Sequence, residues 1–266
     1  MKKLALIGIV FAFVSFHSYG QKAQLGFFYL PQKTSISNSI SDKDDPIYQN
    51  KTTFGGGAGI NFTYWPSEYM GIQIGLMYIS HNQKFISKYK DLAYNDDSMR
   101  TYKGKKRLDY LKVPLLLVSS VPIGKKMNLF GYAGPQFSYL LKGDGAIVIY
   151  KHHGDGISDY FDLPPSGSNF YNKFLIEAVL GGGVAFNLTP ELSVSASLRL
   201  DYSISDVENK DAVVYEDLDL NYPLYTFGDE DRKKAHNSSI GIMLGFNYSL
   251  AGKYDMVRPG GGRRRR

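Results

Sequence analysis

The sequence contains no cysteine. That excludes a disulfide scaffold, thiolate metal sites and cysteine nucleophiles. It also lacks a long apolar run beyond its first twenty residues. The most apolar later stretch, 113–118, is six residues long and contains Pro114, far short of the ~20 residues a membrane helix needs. A membrane form of this chain therefore has to cross with strands closed into a barrel. The charge is lopsided only at the ends. Of the formal +6, the first twenty residues carry +2 and residues 251–266 carry +5, which leaves −1 for the segment 21–250. The body thus has no basic excess with which to hold a nucleic acid.

Glycine and aromatics are abundant: 28 Gly, 16 Phe and 21 Tyr, with a single tryptophan, Trp65. That mixture favours many strands joined by tight turns.

The N-terminus reads as an export signal. Lys2 and Lys3 precede a thirteen-residue apolar run, 4–16, and Ser18 and Gly20 supply small residues for cleavage before Gln21. The expected organisation is a signal peptide over 1–20, a barrel over 21–250 and a flexible basic tail over 251–266.

Eight segments alternate with period two, the pattern of strands with one lipid face and one lumen face. The clearest is 192–204. Leu192, Val194, Ala196, Leu198, Leu200 and Tyr202 share one face, and Ser193, Ser195, Ser197, Arg199, Asp201 and Ser203 the other. The others run over 24–30, 54–64, 70–80, 108–120, 128–141, 173–188 and 239–250. The least regular, 108–120, is read with Leu111, Val113, Leu115 and Leu117 outward and Lys112 inward.

Three features favour a barrel over a soluble sandwich. The polar face is mostly Gly, Ser and Asn, which suits a narrow interior. Outward aromatics gather at strand ends, with Tyr64, Phe186 and Tyr248 near one rim and Tyr78, Tyr139 and Tyr202 near the other. Short connections at 65–68, 121–127 and 189–191 alternate with long ones at about 31–52, 84–106, 143–171 and 206–237. The fold expected is an eight-stranded antiparallel up-and-down transmembrane β-barrel of outer-membrane type, with both termini in the periplasm.

The strands also carry a resemblance. Leu108-Asp109-Tyr110-Leu111-Lys112-Val113-Pro114, Gly131-Tyr132-Ala133-Gly134-Pro135, Leu180-Gly181-Gly182-Gly183 and the terminal strand 239–250 resemble the PorT-like outer-membrane barrels of the Bacteroidota. The similarity covers roughly 23–250. It implies a barrel type and no particular activity. Some members serve type IX secretion and gliding machinery. The long last loop and the arginine-ended tail depart from the family pattern.

Candidate sites follow from the register. Lys173, Glu177, Arg199 and Asp201 face inward on neighbouring strands, and charges in a narrow low-dielectric interior have to be paired. They are expected to form a structural network that plugs the lumen. His81, placed at the outer rim, and the loop residues His152, His153 and His236 are the only groups suited to a rim enzyme. No spacing gathers them, so neither catalysis nor a metal or other cofactor is expected. The last loop, 206–237, carries nine acidic and four basic residues. With its tyrosines it suits lipopolysaccharide, bridged by divalent cations, or a partner protein. Arg263, Arg264, Arg265 and Arg266 form a dense cationic end for an acidic periplasmic partner, a secretion-system protein or anionic lipid. The expected function is a non-enzymatic outer-membrane protein, envelope-structural or partner-binding, with nucleic acid excluded. The alternatives are a narrow solute channel and a rim enzyme.

Overall fold

The computed structural model describes residues 22–37, 48–90, 99–150, 158–163, 171–209 and 234–250. The expected signal peptide 1–20 and tail 251–266 lie outside the described residues, as do His152, His153 and Arg263 to Arg266. Nine strands are present: β1 (Lys22–Ser37), β2 (Tyr48–Trp65), β3 (Met70–Lys90), β4 (Met99–Ile123), β5 (Met127–Tyr150), β6 (Ser158–Leu163), β7 (Phe174–Asn187), β8 (Leu192–Ser203) and β9 (His236–Ser249). Every pairing is antiparallel. The order is β4-β3-β2-β1-β9-β8-β7-β5, and β4 also pairs with β5, which closes eight strands into a ring. The short β6 sits outside that ring and extends β5 over 145–150.

Alternation sets the faces. Leu25, Phe27 and Tyr29 of β1, Ile72, Ile74, Leu76 and Tyr78 of β3, and Ile240, Ile242, Leu244, Phe246 and Tyr248 of β9 are all exposed on the outer wall. Closure leaves the eight-stranded ring without an edge, so the backbone groups of its wall are paired strand to strand, and β6, paired with β5 alone, is the edge beyond it. The tight turns lie at one end. Ser67 Oγ accepts from Met70 N at 3.0 Å, and Thr189 Oγ1 accepts from Leu192 N at 3.0 Å. Gly124 takes φ +73°, a left-handed conformation that glycine adopts without steric cost. At the same end Leu250 N donates to Ala23 O at 2.7 Å, so the barrel wall begins and finishes together.

The strands run well beyond the alternating segments. Lys84 to Lys90 of β3 pair with Met99 to Lys105 of β4, where the sequence reading placed a loop. Past the lipid there is no apolar face to maintain, so the ladder continues on backbone bonds alone and the period-two signal vanishes. β6 went unread for the same reason.

The interior is also less polar than expected. Phe28, Leu30, Met77, Ile79, Leu116, Val118, Tyr132, Val179 and Met243 form an apolar layer inside the ring. A second apolar layer nearer the long loops comprises Ile36, Leu108, Tyr110, Leu140, Tyr171, Leu175, Val207 and Ala235. Along the inward face of β4, from the short turns upward, Ser120 gives way to Val118 and Leu116. Lys112 follows, and then Tyr110 and Leu108. The lumen is thus a stack: a polar well, an apolar layer, a charged layer and an apolar cap.

Candidate functional site

The charged layer is built from four strands. Lys112 on β4 places Nζ 3.1 Å from Glu177 Oε1 and 2.8 Å from Glu177 Oε2, on β7. Ser138 on β5 donates to Glu177 Oε2 at 2.6 Å, and Gln136 Nε2 donates to the same oxygen. On β8 Arg199 Nε donates to Asp201 Oδ1 at 2.9 Å, and Arg199 Nη2 donates to Gln136 Oε1 at 2.5 Å. Asp201 Oδ2 lies 3.9 Å from Lys112 Nζ. The side chains of the four ions are 0–3% exposed.

Strand geometry explains why these residues meet. Arg199 and Asp201 are two apart on β8 and so share its lumen face. Gln136 and Glu177 are register partners on β5 and β7. Lys112 reaches Glu177 past the intervening β5. Ions removed from water hold their charge only when each has a partner and its remaining hydrogen-bonding capacity is met. Here two cations face two anions, and a neutral amide links the pairs.

Three of the four expected lumen charges, Glu177, Arg199 and Asp201, stand in this layer. The fourth, Lys173, does not. It lies just before β7, is exposed, and its carbonyl accepts from Leu140 N at 2.8 Å. Tyr171 and Leu175 fill the interior at that height, so Lys112 supplies the second cation. Its inward parity on β4 was the available signal.

Of the candidate histidines only His81 and His236 lie among the described residues, and they have different surroundings. His81, expected at the outer rim, is a buried lumen residue, because β3 continues past it to Lys90. Its Nε2 lies 3.4 Å from Gln32 Nε2, and its ring meets Tyr110 edge-on at 5.6 Å between centroids. His236 Nδ1 is 2.8 Å from Ser203 O, and its ring stacks on Tyr202. Among the described residues no three His, Asp or Glu side chains are grouped to hold a metal ion.

The cap draws on two long connections. Asp206 Oδ1 accepts from the backbone N of Glu208 at 3.2 Å and of Ala235 at 3.0 Å. Asn172 Nδ2 donates to Asp206 O at 2.9 Å and to Glu208 O at 3.1 Å. Val207 and Ala235 are thereby held over the lumen and fully buried. The start and finish of the acidic last loop therefore close the barrel mouth.

At the other end the lumen opens. A well of about 240 Å³ is bounded by the short turns and floored by Phe28, Val118, Tyr132 and Met243. It lies at the opposite end from the long loops to which the sequence points. The inward amides at the short-turn ends of six strands are its legible signal.

A family model described as outer membrane protein beta-barrel domain matches residues 19–209. No curated protein matches the chain significantly. Solved structures similar to it include OprG of Pseudomonas aeruginosa, 12% identical with TM-score 0.43, covering 88% of this chain and 97% of that one. Neisserial surface protein A is 10% identical with TM-score 0.38, over 86% and 99%. Ail of Yersinia pestis is 12% identical with TM-score 0.34, over 86% and 100%.

Proposed function

The chain belongs to the outer membrane protein beta-barrel domain family, and from that premise we propose a non-enzymatic outer-membrane protein that works through its surfaces and not by conduction. The observation that carries this reading is the layered lumen. Two apolar layers enclose Lys112, Glu177, Arg199 and Asp201, and all four side chains are buried. An eight-stranded ring has room inside for little beyond side chains, and here they close the lumen between the well and the cap. Folded protein in planar bilayers is expected to show no discrete conductance steps. Steady ion-selective steps would overturn the reading and restore the narrow channel.

The rim enzyme loses one of its candidate groups, since His81 lies under the cap and not at the surface; His152 and His153 lie outside the described residues. The short turns and both ends of the barrel wall share one end of the molecule. Together with the export signal, this supports placing both termini in the periplasm and the long hairpins outside. Protease added to intact cells should spare the tail 251–266 and cut the long loops.

The finer part of the proposal concerns partners. The resemblance to PorT-like barrels supports a place beside a type IX secretion or gliding assembly, with Arg263 to Arg266 as the contact for an acidic partner. The acidic residues of the last loop suit cation-bridged lipopolysaccharide. Quantitative proteomics of the medium and cell surface of a deletion strain tests the assembly. Selective loss of exported cargo is expected, and an unchanged profile would leave an envelope-structural role.

A further inference from the structure

We propose that the well at the short-turn end is a binding site for an uncharged, hydroxyl- and amide-bearing saccharide. Its wall carries six carboxamides, those of Gln24, Asn61, Gln73, Asn128, Asn187 and Asn247, one from each of six strands, with Trp65 beside them. Asn247 Nδ2 donates to Ser195 Oγ at 3.2 Å; none of the other five makes a side-chain hydrogen bond to another described residue, and none of the six has a polar atom buried without a partner. Those five point their hydrogen-bonding capacity into the open space.

The chemistry of the wall selects the ligand. A carboxamide offers both donors and an acceptor. Its natural complement is a group that also does both, such as a sugar hydroxyl or an acetamido substituent. No Lys, Arg or His lines the well, and its two carboxylates, Glu68 and Glu191, belong to the turns at the mouth. An anion therefore meets no counter-charge and passes two like charges on entry. A cation gains only those two turn carboxylates, Glu68 exposed and Glu191 half-buried, at the mouth, and would shed its hydration for neutral amides further in. A purely apolar ligand would strip water from the carboxamides and leave them unpaired.

Trp65 and Phe130 supply flat apolar surfaces, as do Phe28 and Tyr132 deeper in. A pyranose ring presents polar edges and an apolar C–H face, which fits a wall of amides interrupted by aromatic rings. At about 240 Å³ the well has room for a sugar ring with its substituents. The floor closes the far end, so the ligand enters and leaves by one mouth. That geometry suits the terminal residue of a glycan.

Trp65 is the only tryptophan in the chain, so intrinsic emission reports from the well itself. The test titrates N,N′-diacetylchitobiose into full-length protein folded in phospholipid nanodiscs. Nanodiscs avoid sugar-headed detergents and expose both ends of the barrel, so failure reports on the well and not on its orientation. A saturable change in Trp65 emission is expected with the neutral disaccharide, and none with glucuronate at equal concentration. Asn128→Leu and Asn187→Leu, each checked for heat-modifiable gel mobility, should weaken binding at least tenfold. In Trp65→Phe calorimetry replaces fluorescence and should show weaker binding. The proposal is overturned if neither method detects the disaccharide, if glucuronate binds as well, or if both leucine variants bind like the parent.

Discussion

Lys112 and Glu177 stand 65 positions apart in the chain and meet across the lumen at 2.8 Å, each side chain no more than 1% exposed. Removing one member strands the other in a medium that cannot solvate it. Lys112→Met is expected to cost about 3–5 kcal/mol, the usual penalty for breaking a buried pair. Lys112→Met/Glu177→Met should recover most of that loss, because apolar replacement of a whole buried pair is often neutral or better. Urea unfolding in lipid vesicles, followed by Trp65 emission, measures both. Equal stability of the parent and Lys112→Met would show that the pair does not hold the barrel.

The wall of this barrel was legible because lipid demands it. Every second residue from Leu192 to Tyr202 on β8 and from Ile240 to Tyr248 on β9 is apolar and turned away from the lumen, so the sequence there has no freedom, and Arg199 and Asp201 could be placed inward from Leu198 and Leu200 alone. Lys173 shows where parity fails. It has the inward parity of Leu175 and Glu177 and its carbonyl still accepts from Leu140 N, but it lies one residue before β7 and its side chain is exposed while Tyr171 and Leu175 occupy the interior there. The inner apolar layers were hidden for another reason. Phe28 and Leu30 interrupt the alternation of Phe27 and Tyr29 with residues as apolar as those facing lipid, and a run apolar on both faces carries no signal of which side is which. The cap was illegible because it depends on hydrogen bonds from side chain to backbone among Asn172, Asp206 and Ala235, which belong to two different connections.

Asp206 tests that cap. Its carboxylate accepts from two backbone amides, of Glu208 and Ala235. Hydrogen bonds to a charged acceptor contribute about 1.5–3 kcal/mol each. Asp206→Ala should therefore speed hydrogen exchange at those two amides by about tenfold or more, while the amides of β8 keep their protection. Heat-modifiable mobility should not change, since the ring closes without the cap. Parental exchange at Glu208 and Ala235 would remove Asp206 from the role.

Tyr132 and Gly181 are direct register partners on β5 and β7, and the tyrosine ring lies over the glycine so closely that a Cβ there would collide with it. Tyr132 OH also lies 3.2 Å from Ser197 Oγ. The ring covers bare backbone and floors the well at once. Tyr132→Ala should cost about 3–5 kcal/mol, as loss of a large buried aromatic does. Gly181→Ala should cost about 1–3 kcal/mol by overpacking. In Gly181→Ala/Tyr132→Ala the glycine substitution should cost almost nothing, because its obstacle is gone. An additive double mutant would mean that the two do not touch in the folded barrel.

The outer face gives the most direct check that this wall meets hydrocarbon. Leu244 sits near the middle of the outward apolar run that starts at Ile240 on β9 and ends at Leu250, one residue past the strand, and both Leu244 and Leu250 are exposed. The two leucines are six residues apart, so the same arginine placed at each samples different depths of the bilayer. An arginine on the lipid face costs about 2–4 kcal/mol at the midplane and about 0–1 near the interface. Leu244→Arg should therefore lose several times more stability than Leu250→Arg, measured by reversible urea unfolding in vesicles. In a soluble sandwich both leucines would face water, and both arginines would be tolerated alike. Equal, small losses would overturn the membrane placement of β9, and a larger loss at Leu250 would shift the hydrocarbon band toward the short turns.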